Sequence, residues 1–369
     1  MAVSDHALRM TTFRRRLEPA GLDGYWLTDA ANVRYLSGFR GEDSTLLVTP
    51  GRSVLITDSR YVEEAERQAA VDEVVSRHTA MAQAVGGACK SLAIRRLGLT
   101  SAELTYADFE GLAAADPTLE LVACKAGIVE RMRARKDAAE VDAIRAALAC
   151  AEEALCSMLK EVKPGRTERW LAARLEYEMR TRGAEDAAFD TICAAGANAS
   201  MPHAVSGDGR VAAGAGVLFD WGARLDGYCC DLTRMVGVGR IPSQLRDLVE
   251  VVLAAQEAVF ARLKPDSHCG DADAAGRAVI AKAGYGRQLG HSIGHGVGLQ
   301  IHEQPWMGPQ SETVLLPGMV VTVEPGIYLP GEIGVRVEEM ALITQEGHEV
   351  LTRLPRRPAD LHAPKRRAR

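Results

Sequence analysis

No apolar run in this chain approaches the ~20 residues that a membrane-spanning helix needs, so no part of it is expected to lie in a bilayer. Met1-Ala-Val-Ser-Asp-His has neither the charged start nor the apolar centre of a secretory signal, and a cytoplasmic location is expected. The eight cysteines stand at irregular spacings, two of them adjacent as Cys229-Cys230, with no CxxC pair. That pattern excludes a disulfide scaffold and points to reduced thiols. Outside one end, acidic groups outnumber basic ones. The net charge is −5, but residues 356–369 hold six Lys/Arg against one acidic residue, leaving 38 basic and 48 acidic groups, net −10, in the rest. An acidic body repels phosphate, so no nucleic-acid partner is expected. The basic end, punctuated by Pro355, Pro358 and Pro364, is expected to be a solvated, disordered tail.

The chain does have length and pattern. Its 369 residues suit two or three domains of roughly 100–200 residues. Before Gly127, strand-rich runs such as Thr45–Thr49 and Ser53–Thr57 alternate with helical stretches such as 60–69, a mixed α/β pattern. Asp137 and Glu140 have capping-box spacing and open a helix in which Val141, Ile144, Leu148, Leu155 and Leu159 follow helical spacing until Pro164-Gly165. A second helix is expected over 167–182. Further helices are expected from Ser243 to Leu263 and from Asp271 to Ala283. The domain boundaries read as 1–127, 128–355 and a tail of 356–369.

Two pairs of carboxylates flank two expected hairpins. Val217-Leu-Phe-Asp-Trp-Gly222 and Tyr228-Cys-Cys-Asp-Leu-Thr-Arg234 are rich in strand formers and are separated by a turn ending Asp226-Gly227. The expectation is that Asp220 faces Asp231 across this hairpin, about 4.5–5.5 Å apart at Cβ. Val320-Val-Thr-Val-Glu324 runs into Pro325-Gly326, and Gly334-Val-Arg-Val-Glu338 resumes after Pro330-Gly331. Strand alternation puts Arg336 on the face of Glu338, with Val335, Val337 and Glu339 on the other. A lone carboxylate is ordinarily a solvated surface group. Four of them beside an imidazole, His295, suit a pair of divalent ions, Mn²⁺ foremost with Co²⁺ or Zn²⁺ open, because oxygen donors prefer harder ions than thiolates do. His203 follows Met201-Pro202, and His291, His295 and His302 lie in a glycine-rich segment where Gly290, Gly294, Gly296 and Gly298 argue for closely packed backbone. His295 and His302 are seven apart, on opposite faces of a regular strand, so spacing alone cannot aim both at one site.

On these motifs the chain resembles the pita-bread metallopeptidases and, within them, the Xaa-Pro aminopeptidase and prolidase branch. Asp220, Asp231, His295, Glu324 and Glu338 fall at the family's five ligand positions, and Ala31-Asn-Val-Arg-Tyr-Leu-Ser-Gly-Phe39 and Thr57-Asp-Ser-Arg-Tyr-Val62 are similar to its accessory domain. The resemblance implies an α/β (α+β) fold: an N-terminal mixed α/β accessory domain and a C-terminal pita-bread, creatinase/methionine aminopeptidase-like catalytic domain. It implies substrate-binding and proton-handling roles for His203, His291, His302 and Arg336, proton transfer by Glu324, and an active-site position for Tyr328. The implied reaction is metal-dependent hydrolysis of the Xaa-Pro bond, releasing the first residue of peptides with proline second. Xaa-Pro dipeptidase (prolidase) activity is the alternative, and a catalytically dead binding module the contrasting class. Creatinase shares the fold without this ligand set, and methionine aminopeptidase shares the ligands without an accessory domain. Proline-containing peptides or dipeptides are the implied partners, and a homodimer the implied assembly. Cys230, next to Asp231, departs from the small polar residue expected there and should point away from the ligands.

Overall fold

The computed structural model describes residues 5–124, 127–358 and 361; most of the expected basic tail, residues 359, 360 and 362–369, lies outside the described residues. The chain divides into two compact units between Arg133 and Ala134.

The first unit is built on a six-stranded mixed sheet: β1 (Gly24–Leu27), β2 (Ser44–Val48), β3 (Ser53–Thr57), β4 (Glu73–Ser76), β5 (Arg96–Thr100) and β6 (Glu120–Cys124), in the order β4-β3-β2-β1-β5-β6. The central strand β1 pairs antiparallel with β2 and parallel with β5. The helices are α1 (His6–Arg14), α2 (Ala30–Ser37), α3 (Val62–Gln68), α4 (Met81–Ser91), α5 (Tyr106–Ala115) and α6 (Ile128–Arg133). Trp26, Leu47, Ile56 and Leu97 of the sheet pack with Val85 of α4 and Leu112 of α5. The unit runs past Gly127 because α6 is tied into it. Asn32 Nδ2 donates to Glu130 Oε1 at 2.8 Å, and Arg133 Nη1 donates to Asn32 Oδ1 at 2.8 Å.

The second unit repeats one plan twice, two helices followed by an antiparallel sheet. In the first copy, α7 (Ala138–Met158) and α8 (Glu168–Thr181) precede β7 (Asp186–Ala187), β8 (Ile192–Ala195), β9 (Gly216–Trp221), β10 (Ala223–Leu225), β11 (Tyr228–Cys229) and β12 (Leu232–Gly237). In the second, α9 (Ser243–Phe260) and α10 (Cys269–Lys282) precede β13 (Gly294–Gly296), β14 (Glu303–Met307), β15 (Val320–Val323), β16 (Gly326–Leu329), β17 (Ile333–Arg336), β18 (Glu339–Ile343) and β19 (His348–Val350). The sheets run β12-β9-β8 and β14-β13-β15-β18-β19. Asp137 caps α7 reciprocally with Glu140, which satisfies two otherwise orphaned N–H groups. Val141, Ile144, Leu148 and Leu155 are buried on one stripe of that helix.

Leu245, Leu248, Val249, Val252 and Val259 of α9 pack against Val321, Val323, Val335 and Val337. Each such side chain, fully buried, contributes roughly 1.5–3 kcal/mol. Gln256, on the same buried face, donates through Nε2 to Val323 O and Val337 O, both at 3.1 Å. Those carbonyls lie where β15 ends and where the chain breaks between β17 and β18, so the amide takes the place of a missing ladder. All eight cysteines are free thiols, and no helix among the described residues is long and apolar enough to cross a membrane. Arg356 and Arg357, read from sequence as the start of the tail, are ion-paired to Glu257 and Glu250 of α9.

Candidate metal centre

The first hairpin turns at Asp226-Gly227, both with positive φ (49° and 74°), but its register differs from the one expected. Asp220 is paired with Thr233, and Leu232 with Trp221; Asp231 falls in the break between β11 and β12. Asp220 and Asp231 are therefore diagonal rather than directly opposed. The strands break there because the backbone of Cys230 folds over Gly222, where a Cβ would lie 1.9 Å from Cys230 O. Only glycine fits that approach. The Cys230 thiol accepts from Ala223 N–H at 3.2 Å and is fully buried; it does not line the cavity described below.

In the second hairpin Val323 pairs with Glu339 and Gly326 with Arg336, a register that sets Glu324 opposite Glu338 at the strand break. Val335 and Val337 enter the core, Arg336 and Glu338 face the cavity, and Glu339 pairs with the fully buried Arg234. His295 lies on β13, where Gly294 and Gly296 let neighbouring backbone approach within 2.1 and 2.2 Å of where a Cβ would sit. The chain then reverses, so that β14 pairs antiparallel with β13. That reversal brings His302 edge-on to His295, with ring centroids 4.4 Å apart.

A cavity of about 680 Å³ gathers His203, Asp220, Asp231, His291, His295, His302, Glu324, Arg336 and Glu338. One ligand atom each from Asp231, His295 and Glu338 lies within 4.8 Å of the others. His295 Nε2 is 3.5 Å from Asp231 Oδ2 and 3.5 Å from Glu324 Oε1. Its Nδ1 donates to Gly296 O at 3.1 Å, which leaves the Nε2 lone pair facing the carboxylates, the tautomer a metal ligand requires. Burial lowers the His295 pKa to about 4, so the ring is neutral at pH 7. Burial and then the charge of Glu338 push the Asp231 carboxyl well up; burial, then Glu324 and Asp220, do the same to Glu338; burial raises Glu324 to about 7. Carboxylates this close repel unless cations separate them. Asp220 Oδ1 and Glu338 Oε1 are buried without partners. Orphaned oxygens, a neutral imidazole aimed at them and mutual carboxylate repulsion fit a hard divalent cation as the missing partner.

A layer of hydrogen bonds that sequence reading missed aims these groups. Thr233 Oγ1 donates to Glu338 Oε2 at 2.8 Å and accepts from Arg336 Nε at 3.1 Å. Thr322 Oγ1 accepts from His295 N–H at 3.1 Å. Strand alternation from Asp231 to Thr233 and from Thr322 to Glu324 is the signal that would have found both. Arg336 also grips Asp220, and its Nη1 donates to Tyr328 OH at 2.6 Å. Tyr328 in turn lies 2.9 Å from His291 Nε2, while His291 Nδ1 is 2.7 Å from Ser292 O. Both ring nitrogens of His291 are thus engaged, and Tyr328, which does not line the cavity, sits behind it. His203 and His302 are exposed and carry no hydrogen bond among the described residues. Phe189, Ile192 and Trp306 supply apolar wall that the motifs did not reveal.

Comparison with known proteins follows the same division of the chain. The model of metallopeptidase family M24 matches residues 142–345, and that of the creatinase/prolidase N-terminal domain matches residues 9–135. An Xaa-Pro dipeptidase of Pyrococcus horikoshii is 35% identical over 344 residues, 92% of this chain and 95% of that protein. Among solved structures, an Xaa-Pro dipeptidase from Bacillus anthracis is 37% identical with a TM-score of 0.91, covering 96% of this chain and 99% of that one. An X-Pro aminopeptidase from Thermotoga maritima is 34% identical with a TM-score of 0.85, covering 93% and 99%. With its pita-bread fold, its creatinase-type N-terminal domain and its carboxylate–imidazole cavity, the chain belongs to metallopeptidase family M24 and is a metallopeptidase.

Proposed function

We propose that the chain is an Xaa-Pro dipeptidase whose Asp220, Asp231, His295, Glu324 and Glu338 hold two divalent ions, Mn²⁺ foremost. The observation that carries this reading is near-full-length similarity to proteins described as Xaa-Pro dipeptidases, joined to a single cavity lined by all five donors. The aminopeptidase reading expected from the sequence is kept as the second, favoured by the Thermotoga maritima structure. Bound divalent ions would activate water near neutral pH and polarise the scissile carbonyl.

The chain's own groups do the rest. His203 and His302, with free ring nitrogens at the cavity, are assigned to substrate: they hold its carboxylate and stabilise the oxyanion. His291, at the cavity, and Tyr328, behind it, relay hydrogen bonds to Arg336, which orients Asp220. Glu324 is assigned to carry the proton to the leaving proline nitrogen. An Xaa-Pro bond has no N–H for a peptidase to grip, so recognition must come from the apolar wall of Phe189, Ile192 and Trp306. Free thiols throughout suit the cytoplasm.

The test is hydrolysis of Ala-Pro against Ala-Pro-Ala by metal-stripped protein with Mn²⁺ added back. Preference for Ala-Pro is expected, with no turnover of either before metal is restored. Preference for Ala-Pro-Ala would shift the reading to aminopeptidase, and full activity in chelator would remove the metal reading altogether.

A further inference from the structure

Nothing in the hydrogen bonding of His302 itself holds its ring in place. It leans on His295 and stacks on Trp306 at 6.1 Å between centroids, and it carries no hydrogen bond among the described residues. Its position is therefore set by the backbone of the reversal between β13 and β14, residues 297–302, which contains Gly298 and follows Gly296. Glycine is the residue least able to keep a reversal in one conformation by itself.

The reversal is filled from behind by a carboxylate. Glu303 follows His302 and does not line the cavity. Its Oε1 accepts from Gln300 N–H at 3.0 Å and would lie 2.5 Å from a Cβ on Gly298, so the carboxylate rests flat on the glycine inside the bend. Gly298 O accepts from Cys229 N–H at 2.7 Å. Glu303 Oε2 lies 3.5 Å from Lys136 Nζ, and the two side chains are 5% and 1% exposed. Lys136 is itself anchored: its N–H donates to Gly318 O at 2.8 Å, and neighbouring Arg135 donates through Nε to Pro317 O at 3.2 Å. An ion pair this buried is weak evidence for stability, since two apolar residues of the same volume often serve as well. What it supplies here is a fixed charge against which the bend is held.

We propose that Lys136 and Glu303 are positioning residues for His302, the ion pair clamping the 297–302 reversal so that the imidazole stands at one place over the metal-ligand cluster. The role rests on the peptidase reading above, in which His302 meets substrate.

Three proteins test it: the wild type, Lys136→Met, and Lys136→Met/Glu303→Gln, which removes both charges of the pair. The single variant is expected to lose stability, because it takes the Lys136 ammonium away from a buried carboxylate. With Ala-Pro and Mn²⁺ its kcat should fall roughly 10–100-fold, the usual loss when a supporting partner is removed, with KM nearly unchanged and metal content intact. The double variant should regain thermal stability while kcat stays at least about tenfold low. Wild-type kcat in the double variant, or a kcat loss tracked by metal loss, would overturn the proposal. Hydrogen exchange of the 297–302 amides in the metal-free proteins gives a readout independent of substrate. Faster exchange confined to that segment in both variants is expected, and unchanged protection there also overturns the proposal. If instead the wild type hydrolyses no Xaa-Pro substrate, the peptidase reading fails while the exchange result still judges the clamp.

Discussion

Asp231 and Glu338 differ from His302 in what surrounds them, and that difference predicts different losses. The first two are buried, have their carboxyls raised by that burial and by neighbouring carboxylates, and sit within ligand distance of His295. Asp231→Ala, Glu338→Ala and His295→Ala should each lower bound metal, read by elemental analysis after dialysis, and remove nearly all turnover. His203→Ala and His302→Ala should keep full metal and lose roughly 10²–10⁴ in kcat/KM, the range for lost acid–base or oxyanion groups. Metal loss in His302→Ala would undo the division of labour. Glu324 supplies a pH test. Burial raises its carboxyl from 4.5 to about 7, so between those values the folded metal-free protein holds a proton that the unfolded chain has released. Its contribution to stability is present below pH 4.5 and lost as pH rises through 7. In metal-stripped protein, Glu324→Gln should therefore raise the melting temperature relative to wild type by an amount that grows from pH 4.5 to 7. A constant difference across that window would show that Glu324 is not the strained carboxyl.

Among the elements, α9 decides how the second hairpin presents its ligands. Glu324 and Glu338 stand where the ladder is broken, and the carbonyls just before them, Val323 O and Val337 O, depend on Gln256. Gln256→Leu should leave both unpaired at about 1–3 kcal/mol each, lowering stability in denaturant and weakening metal binding together. Loss of stability with metal affinity untouched would mean the amide serves packing alone. The first hairpin shows how far pattern reading reaches. Turn chemistry at Asp226-Gly227 was legible, and so was the position of both strands. The register was not, because it depends on how the backbone of Cys230 crosses Gly222, a contact between residues that no periodicity couples.

For the molecule as a whole, the grouping of helices and hairpins into two copies of one plan is what the family resemblance implies, while the elements themselves were legible one by one from helical spacing, caps and Pro-Gly punctuation. The capping box at Asp137 and Glu140 shows why: such signals are local and act within a few residues. The assembly state is a prediction of a different kind. The family resemblance implies a homodimer, and the stacked Tyr106 and Phe109 of α5 remain 75% and 43% exposed in the single chain, more aromatic surface than a solvated helix needs. Light scattering at micromolar concentration should return twice the mass of one chain, and Phe109→Glu should shift it toward monomer if that face is covered. A monomeric wild type would refute the assembly.

Sequence alone determined the kinds of chemistry present and their order along the chain: carboxylates at strand ends, an imidazole among glycines, an acidic body with free cysteines, and a mixed α/β segment ahead of them. Each is a property of residue type and near-neighbour spacing. Only the tertiary structure decided which of these groups meet. His295 and His302 were placed on opposite faces by strand period and are brought into contact by the reversal between β13 and β14. Gln256 and the Lys136–Glu303 pair carry no motif at all, and their importance exists only in what they touch. The physical reason is that a hydrogen bond or ion pair across a hundred residues leaves no periodic trace, whereas the burial and turn preferences that build the elements are written into every few residues of the chain.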